Sequence, residues 1–263
     1  MKIIGQLERI ECPTVEEFQE NYFSKNKPVI LANAAKNWHA RTILTPDTIK
    51  TKFGDLTVPV RESDNELEVF FGEARRKNMR LGDYMELICG QAYFDTRPPY
   101  LANISFDQPE GRQYLQRIKA LLDFPDYFRN NTGSAVCLWV AAPGQKSSIH
   151  NDNYYNLNAQ IYGTKSYLLF PPEQCKLLYT EYMNETCWAS RVDPQEPDFE
   201  KYPLFQETEA VEAVLQAGDM LHIPIFWFHQ AFARTVSIST NMFVNVGTVR
   251  HWDTERHKYL ESV

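Results

Sequence analysis

From residue 135 to residue 246 the apolar residues fall into short runs, each closed by Gly, Pro or a polar turn, with no long helical stretch between them. Parallel strands need crossover connections of a dozen or more residues, usually helical, so this spacing disfavours a doubly wound parallel sheet. The runs are Ala135 to Ala142, Asn156 to Tyr162, Lys165 to Phe170, Val211 to Leu215, Met220 to Ile223, His229 to Phe232 and Val236 to Val246. Their lengths and turn-rich separators predict an antiparallel barrel or sandwich.

The first third reads differently. Thr14 and Glu17 form a capping box, and Val15, Phe18 and Tyr22 recur at helical spacing, which predicts a helix to about Ser24, closed off by Pro28. Val29 to Leu31 and Thr57 to Arg61 read as strands, Thr45 to Phe53 as a capped helix with Pro46 in its first turn, and Leu81 to Cys89 as a helix. The basic stretch Arg75, Arg76, Lys77 and Arg80 reads as a solvated face, with a binding patch as the alternative. Tyr100 to Phe106 reads as a strand, Gly111 to Leu122 as an amphipathic helix and Asp253 to Leu260 as a short helix. With no internal repeat or low-complexity tract, residues 1–263 read as one domain: an α/β portion over 1–97 packed on a β core over 98–250.

Composition narrows the function classes. Lys and Arg number 27 against 34 Asp and Glu, a net charge of −7, which opposes a protein that coats nucleic acid. Five cysteines with no CxxC pair indicate neither a disulfide framework nor a thiolate zinc site, and fit a reducing compartment. No apolar run approaches the roughly 18 residues of a membrane span, and Met1 to Ile10 lacks the core of a signal peptide, so the expectation is a cytoplasmic protein with no membrane partner. Aromatic residues make up 13 % of the chain, enough to wall a large pocket as well as a core.

Candidate chemistry starts at His150 and Asp152, two residues apart, which on an extended strand point to the same face. Such pairs arise by chance, so the pair alone carries little. His229, 77 residues beyond Asp152, offers a third ligand on a later strand. Two His and one carboxylate with the other positions open is the facial triad of non-haem iron oxygenases, whereas a closed structural zinc site wants a fourth protein ligand. His222, inside an apolar strand, reads as a core histidine rather than a ligand. Lys165 opens an apolar strand just past a glycine turn; solvent-facing it is unremarkable, but facing inward it needs an anion such as a dicarboxylate co-substrate. Tyr100, Ser147, Asn156 and Asn241 are further polar groups at or within strands, each open to a plain hydrogen-bonding role in the core.

Taken together, His150-Asn151-Asp152, Asn156, Ala159-Gln160-Ile161, Gly163, Lys165, Leu169-Phe170-Pro171-Pro172, Gly218-Asp219, Ile223-Pro224, Trp227-Phe228-His229 and Asn241 form an ordered series. That series resembles the cupin-like JmjC family of Fe(II)/2-oxoglutarate oxygenases, with protein asparaginyl hydroxylases and the tRNA wybutosine hydroxylase as its nearest members. The resemblance implies a double-stranded β-helix barrel of the jelly-roll type, mainly β with an N-terminal α/β portion. It implies that His150, Asp152 and His229 hold Fe(II), that Lys165 pairs with the distal carboxylate of 2-oxoglutarate aided by Tyr100 and Ser147, and that Asn156 and Asn241 lie near the metal-chelating end. Fe(II), 2-oxoglutarate and O₂ are the implied cofactor and co-substrates, no catalytic residue is implied beyond the metal ligands, and hydroxylation is the implied outcome.

The same comparison locates differences. Where an asparaginyl hydroxylase presents an Arg-Gln pair ahead of Ser190-Arg191-Val192-Asp193, this chain has Trp188-Ala189; Tyr154 and Phe243 replace a Gln and a Trp. The implied substrate is accordingly a protein, a peptide or an amino-acid-like molecule, with a tRNA base as the alternative and a non-catalytic metal-binding cupin as the alternative outside enzymology. The short stretch after Asn241 leaves a homodimer open.

Overall fold

The computed structural model describes residues 1–62, 75–90, 98–105 (of 103–105 the backbone alone), 116, 118–128, 133–184 and 187–245. The N-terminal portion contains strands β1 (Lys2–Gln6) and β2 (Arg9–Glu11), helix α1 (Val15–Phe18), strand β3 (Val29–Ala32), helices α2 (Ala40–Ile43) and α3 (Pro46–Phe53), strands β4 (Thr57–Glu62) and β5 (Arg75–Arg80), and helix α4 (Leu81–Gly90). Strands follow: β6 (Leu101–Ser105), β7 (Gly133–Ala141), β8 (His150–Asp152), β9 (Tyr155–Tyr162), β10 (Lys165–Phe170), β11 (Thr180–Asn184) and β12 (Cys187–Ser190). The last four are β13 (Glu209–Leu215), β14 (Met220–Ile223), β15 (Phe228–Ala233) and β16 (Ser237–Asn245).

The strands form two seven-stranded sheets, ordered β1-β13-β10-β15-β8-β12-β11 and β2-β3-β14-β9-β16-β7-β6, with β4 and β5 as a separate ribbon. This is a jelly-roll barrel, the fold that the resemblance implies. Consecutive strands alternate between the two sheets at several points, so residues distant in sequence meet inside. Pairing is antiparallel except at two places, β1 with β13 and β2 with β3, which are parallel. The purely antiparallel expectation missed these pairs because β1 is exposed along its whole length and carries no alternation to read.

Local chemistry explains the elements that hold the site. Thr14 and Glu17 make both capping-box bonds at the start of α1, which a π-helical turn at Gln19–Phe23 prolongs. Thr45 caps α3 by accepting from the Thr48 amide at 3.3 Å, with Pro46 in the first turn. Gly163 joins β9 to β10 at φ +74°, and a Cβ there would sit 2.0 Å from the Val236 carbonyl oxygen, so glycine is required to aim β10 into the barrel. One large core is shared by the helices and the second sheet, with Phe18, Trp38, Ile49 and Tyr84 packed with Leu138 and Leu157. Each such aromatic or leucine removed from water contributes about 1.5–3 kcal/mol before chain entropy is counted.

Two sequence expectations need comment. Arg75–Arg80, expected as a solvated face ahead of a helix, does run into α4 with its side chains exposed, Met79 alone being half-buried, and it is also a strand, β5, paired residue for residue with β4. Half of the helix expected over Gly111 to Leu122, and all of that over Asp253 to Leu260, lies outside the described residues. Within the former, Ile118 is buried in the core and Leu121 and Leu122 pack against it.

Candidate metal and co-substrate site

His150 and Asp152 leave β8 on the same face, and β15 places His229 directly opposite His150. The two imidazole centroids are 4.3 Å apart, and His229 Nε2 is 3.7 Å from Asp152 Oδ2. One ligand atom from each of the three residues lies within 4.8 Å of the others, and among the described residues no further His, Cys, Asp or Glu joins them. That is a three-ligand cluster with the remaining positions open.

Each histidine is oriented from behind. His150 Nδ1 lies 2.9 Å from the Ser148 carbonyl oxygen and His229 Nδ1 3.1 Å from that of Trp227. A carbonyl can only accept, so Nδ1 carries the proton in both rings and Nε2 keeps its lone pair for a cation. Burial, reinforced by His229, holds the His150 pKa well below the usual imidazole range, while burial raises that of Asp152 and His229 opposes the rise. Neutral imidazole beside a carboxylate that is costly to leave bare is a donor set that a divalent cation satisfies.

Lys165 begins β10 and faces inward, 3 % exposed. Its ammonium donates to Ser239 Oγ at 2.7 Å, and among the described residues no carboxylate pairs with it. Burial alone brings its pKa down to about 7. Tyr100 is buried with its ring 6.2 Å from that of Trp139. Ser147 Oγ accepts from the Ala231 amide at 3.0 Å, which leaves its own hydroxyl proton to give away.

Asn156 and Asn241 are joined in a relay. The Trp139 indole donates to Asn241 Oδ1 at 2.6 Å, and Asn241 Nδ2 donates to Asn156 Oδ1 at 3.1 Å. With its oxygen engaged, Asn156 has its NH₂ as the free end of the chain. Trp139 is the residue that sequence reasoning missed here, because nothing in its run distinguishes a core indole from one that sets an amide's orientation.

One cavity of about 310 Å³ gathers the triad, Lys165, Tyr100, Ser147, Asn156 and Asn241. Its wall also includes Arg61, Asn158 and the β11–β12 hairpin residues Met183, Asn184 and Cys187, none of which the sequence singled out. Of the substrate-side residues that differ from an asparaginyl hydroxylase, Phe243 lines the cavity, its ring tilted against that of Tyr154 with the centroids 6.1 Å apart. Ala189 sits opposite His150, and the half-buried Trp188 packs its ring 5.4 Å from Tyr182. His222 is fully buried, with Phe18 at 4.9 Å and Tyr155 at 6.2 Å, away from the triad's ligand cluster.

The cupin-like domain family matches residues 15–247. Lysine-specific demethylase JMJ30 of Arabidopsis thaliana is 27 % identical over 234 residues, covering 88 % of this chain and 52 % of that protein. Lysine-specific demethylase 8 of Danio rerio is 28 % identical over 242 residues, 89 % of this chain and 56 % of that protein. The chain thus spans just over half the length of both demethylases. The tRNA wybutosine-synthesizing protein 5 of Homo sapiens is 24 % identical over 263 residues, 89 % of this chain and 76 % of that protein.

Proposed function

The chain belongs to the cupin-like JmjC family, and on that premise we propose that it is an Fe(II)- and 2-oxoglutarate-dependent dioxygenase that hydroxylates a protein or peptide side chain or a related amino-acid-like substrate. The observation that carries this reading is Lys165, a buried ammonium without a carboxylate partner among the described residues, in the same cavity as an open three-ligand cluster. A buried cation is costly unless paired, and the distal carboxylate of 2-oxoglutarate supplies the missing charge.

When bound, the iron couples oxidative decarboxylation of 2-oxoglutarate, which yields succinate and CO₂, to transfer of one oxygen atom of O₂ into a substrate C–H bond. His150 and His229 would hold it through Nε2 and Asp152 through its carboxylate, all from one side, leaving the cavity side for co-substrate and O₂. Lys165, with the Tyr100 and Ser147 hydroxyls, would fix the far end of the co-substrate, and the Asn156 NH₂ would donate to its near end. Tyr167, Ile223 and Phe243 wall the cavity and keep water from the reacting centre. No side chain has to take or give a proton in the oxygen-transfer step.

Release of labelled CO₂ from 1-carbon-labelled 2-oxoglutarate by iron-loaded protein tests the reading, with Asp152→Ala expected to abolish it. Iron-loaded wild type that neither binds 2-oxoglutarate nor turns it over would overturn it and favour a metal-binding cupin without catalysis. Identity of the product follows from mass spectrometry of peptides gaining one oxygen; loss of a methyl group instead would align the chain with the activity that the names of its demethylase relatives state. A tRNA base is the second substrate reading, favoured by the similarity to the wybutosine-synthesizing protein, and tRNA retention on the protein checks it.

A further inference from the structure

The β4–β5 ribbon meets the barrel where Arg61 and Tyr100 exchange backbone bonds of 2.9 and 2.8 Å. This bridge sets the half-buried Arg61 against the cavity, whose wall it joins. Directly across the ribbon from Arg61 stands Arg76, on the same face and exposed. Of the other cations of the ribbon, Lys77 pairs with Glu62 at 3.2 Å and Arg80 with Asp55, while Arg75 stands opposite Glu62 at the ribbon's end. Among the described residues neither Arg61 nor Arg76 has an ion pair or a side-chain hydrogen bond. Like charges directly opposite each other destabilise a ribbon, and burial with the Arg76 charge depresses the Arg61 pKa.

We infer that Arg61, with Arg76 beside it, recognises an acidic side chain of a polypeptide substrate. The inference rests on the oxygenase reading and adds a specificity contact to it. The co-substrate does not account for Arg61, because its two carboxylates are assigned to Lys165 and to the metal. A guanidinium presents a planar fork that matches a carboxylate in two parallel bonds, and a second arginine behind it adds charge without crowding. Nucleic acid is the weaker occupant: two unpaired guanidiniums neutralise few phosphates, and the chain's net charge of −7 repels a polyanion.

The test uses protein loaded with Mn(II) and 2-oxoglutarate on an oriented peptide array in which each position is set in turn to Asp, Asn, Glu, Gln or Lys. Wild type should favour the acid over its amide at one position by about tenfold, the scale of one charge-assisted contact. Arg61→Gln should lose that preference, Arg61→Lys should keep part of it, and Arg61→Glu should convert it to a preference for Lys. Calorimetry with 2-oxoglutarate alone should leave the affinity of Arg61→Gln within about twofold of wild type. Equal binding of acid and amide by wild type, or an acidic preference that survives in Arg61→Gln, would overturn the inference. So would a loss of 2-oxoglutarate affinity in Arg61→Gln as large as that in Lys165→Ala, which would assign Arg61 to the co-substrate. Salt-sensitive binding of a fluorescent oligouridylate that Arg76→Gln removes would reassign the ribbon to RNA. Wild type that keeps the acidic preference but binds no 2-oxoglutarate would sink the oxygenase reading and leave this one standing.

Discussion

At the scale of single residues the cavity is built from groups held in states that water would not choose. Lys165 is the clearest case, because its pKa of about 7 lies below the usual 10.5 for one reason, burial. Between those two values the unfolded chain binds the proton more tightly than the folded one. The stability contributed by this group is therefore fully present above about pH 10.5 and is lost as pH falls through about 7. Binding of 2-oxoglutarate reverses the preference by giving the ammonium an anion. Affinity should be greatest below about pH 7 and fall by about tenfold per pH unit above it, with uptake of one proton. Calorimetry in buffers of different ionisation enthalpy reads that uptake directly, and a co-substrate affinity flat from pH 7 to pH 9 would dissociate Lys165 from the carboxylate. The relay Trp139, Asn241, Asn156 makes a milder claim. Trp139→Phe removes the indole donor and lets the Asn241 amide turn, so 2-oxoglutarate should bind about three- to tenfold more weakly, the loss of one hydrogen bond, with the fold retained.

At the scale of elements, position follows from turns and register. Gly163→Ala would place a methyl group against the Val236 carbonyl and force alanine to φ +74°, so it should destabilise the protein by about 1–3 kcal/mol in denaturant titration. Because β10 begins two residues later with Lys165, the same substitution should weaken 2-oxoglutarate binding; full affinity in a destabilised variant would separate the turn from the site. Elements with apolar alternation or a chemical cap were legible in sequence: α3 with its Thr45 cap, β10 and β14 at their observed limits, β9 and β15 within a residue at each end. Those without either were not. β1 is exposed, β5 is mostly charged, and β12 gains order from pairing with β8 and β11 from pairing with β12, partners that sequence periodicity cannot name. The site divides along the same line. Its metal and co-substrate residues sit in short ordered motifs on strands that could be read, whereas Arg61 enters the cavity through the ribbon, which a bridge to Tyr100 and the buried Val58 and Val60 seat on the barrel.

At the scale of the whole molecule, two seven-stranded sheets enclose a cavity whose polar groups are satisfied only in part, and ligand binding must then register as stability. Among the described residues no helix is long and apolar enough to cross a membrane. Any ligand that binds the folded state alone adds about 2.7 kcal/mol at one hundred times its dissociation constant, which for a chain of this length is several degrees of melting temperature. Mn(II), which suits the same nitrogen and oxygen donors, should raise the melting temperature of wild type by one increment, and 2-oxoglutarate should add a second on top of it. Removing the metal with a chelator should cancel both, because the co-substrate needs the cation for its near end and Lys165 for its far end. Asp152→Ala should show neither increment. Lys165→Met should keep the metal increment and lose the other, yet melt higher than wild type without ligands near neutral pH, since it no longer buries an unpaired ammonium. A more stable protein that its co-substrate cannot stabilise further separates a binding site from a merely structural lysine. Were Lys165→Met to melt lower than wild type and still respond to 2-oxoglutarate, the buried ammonium would belong to the core and the dicarboxylate assignment would fall.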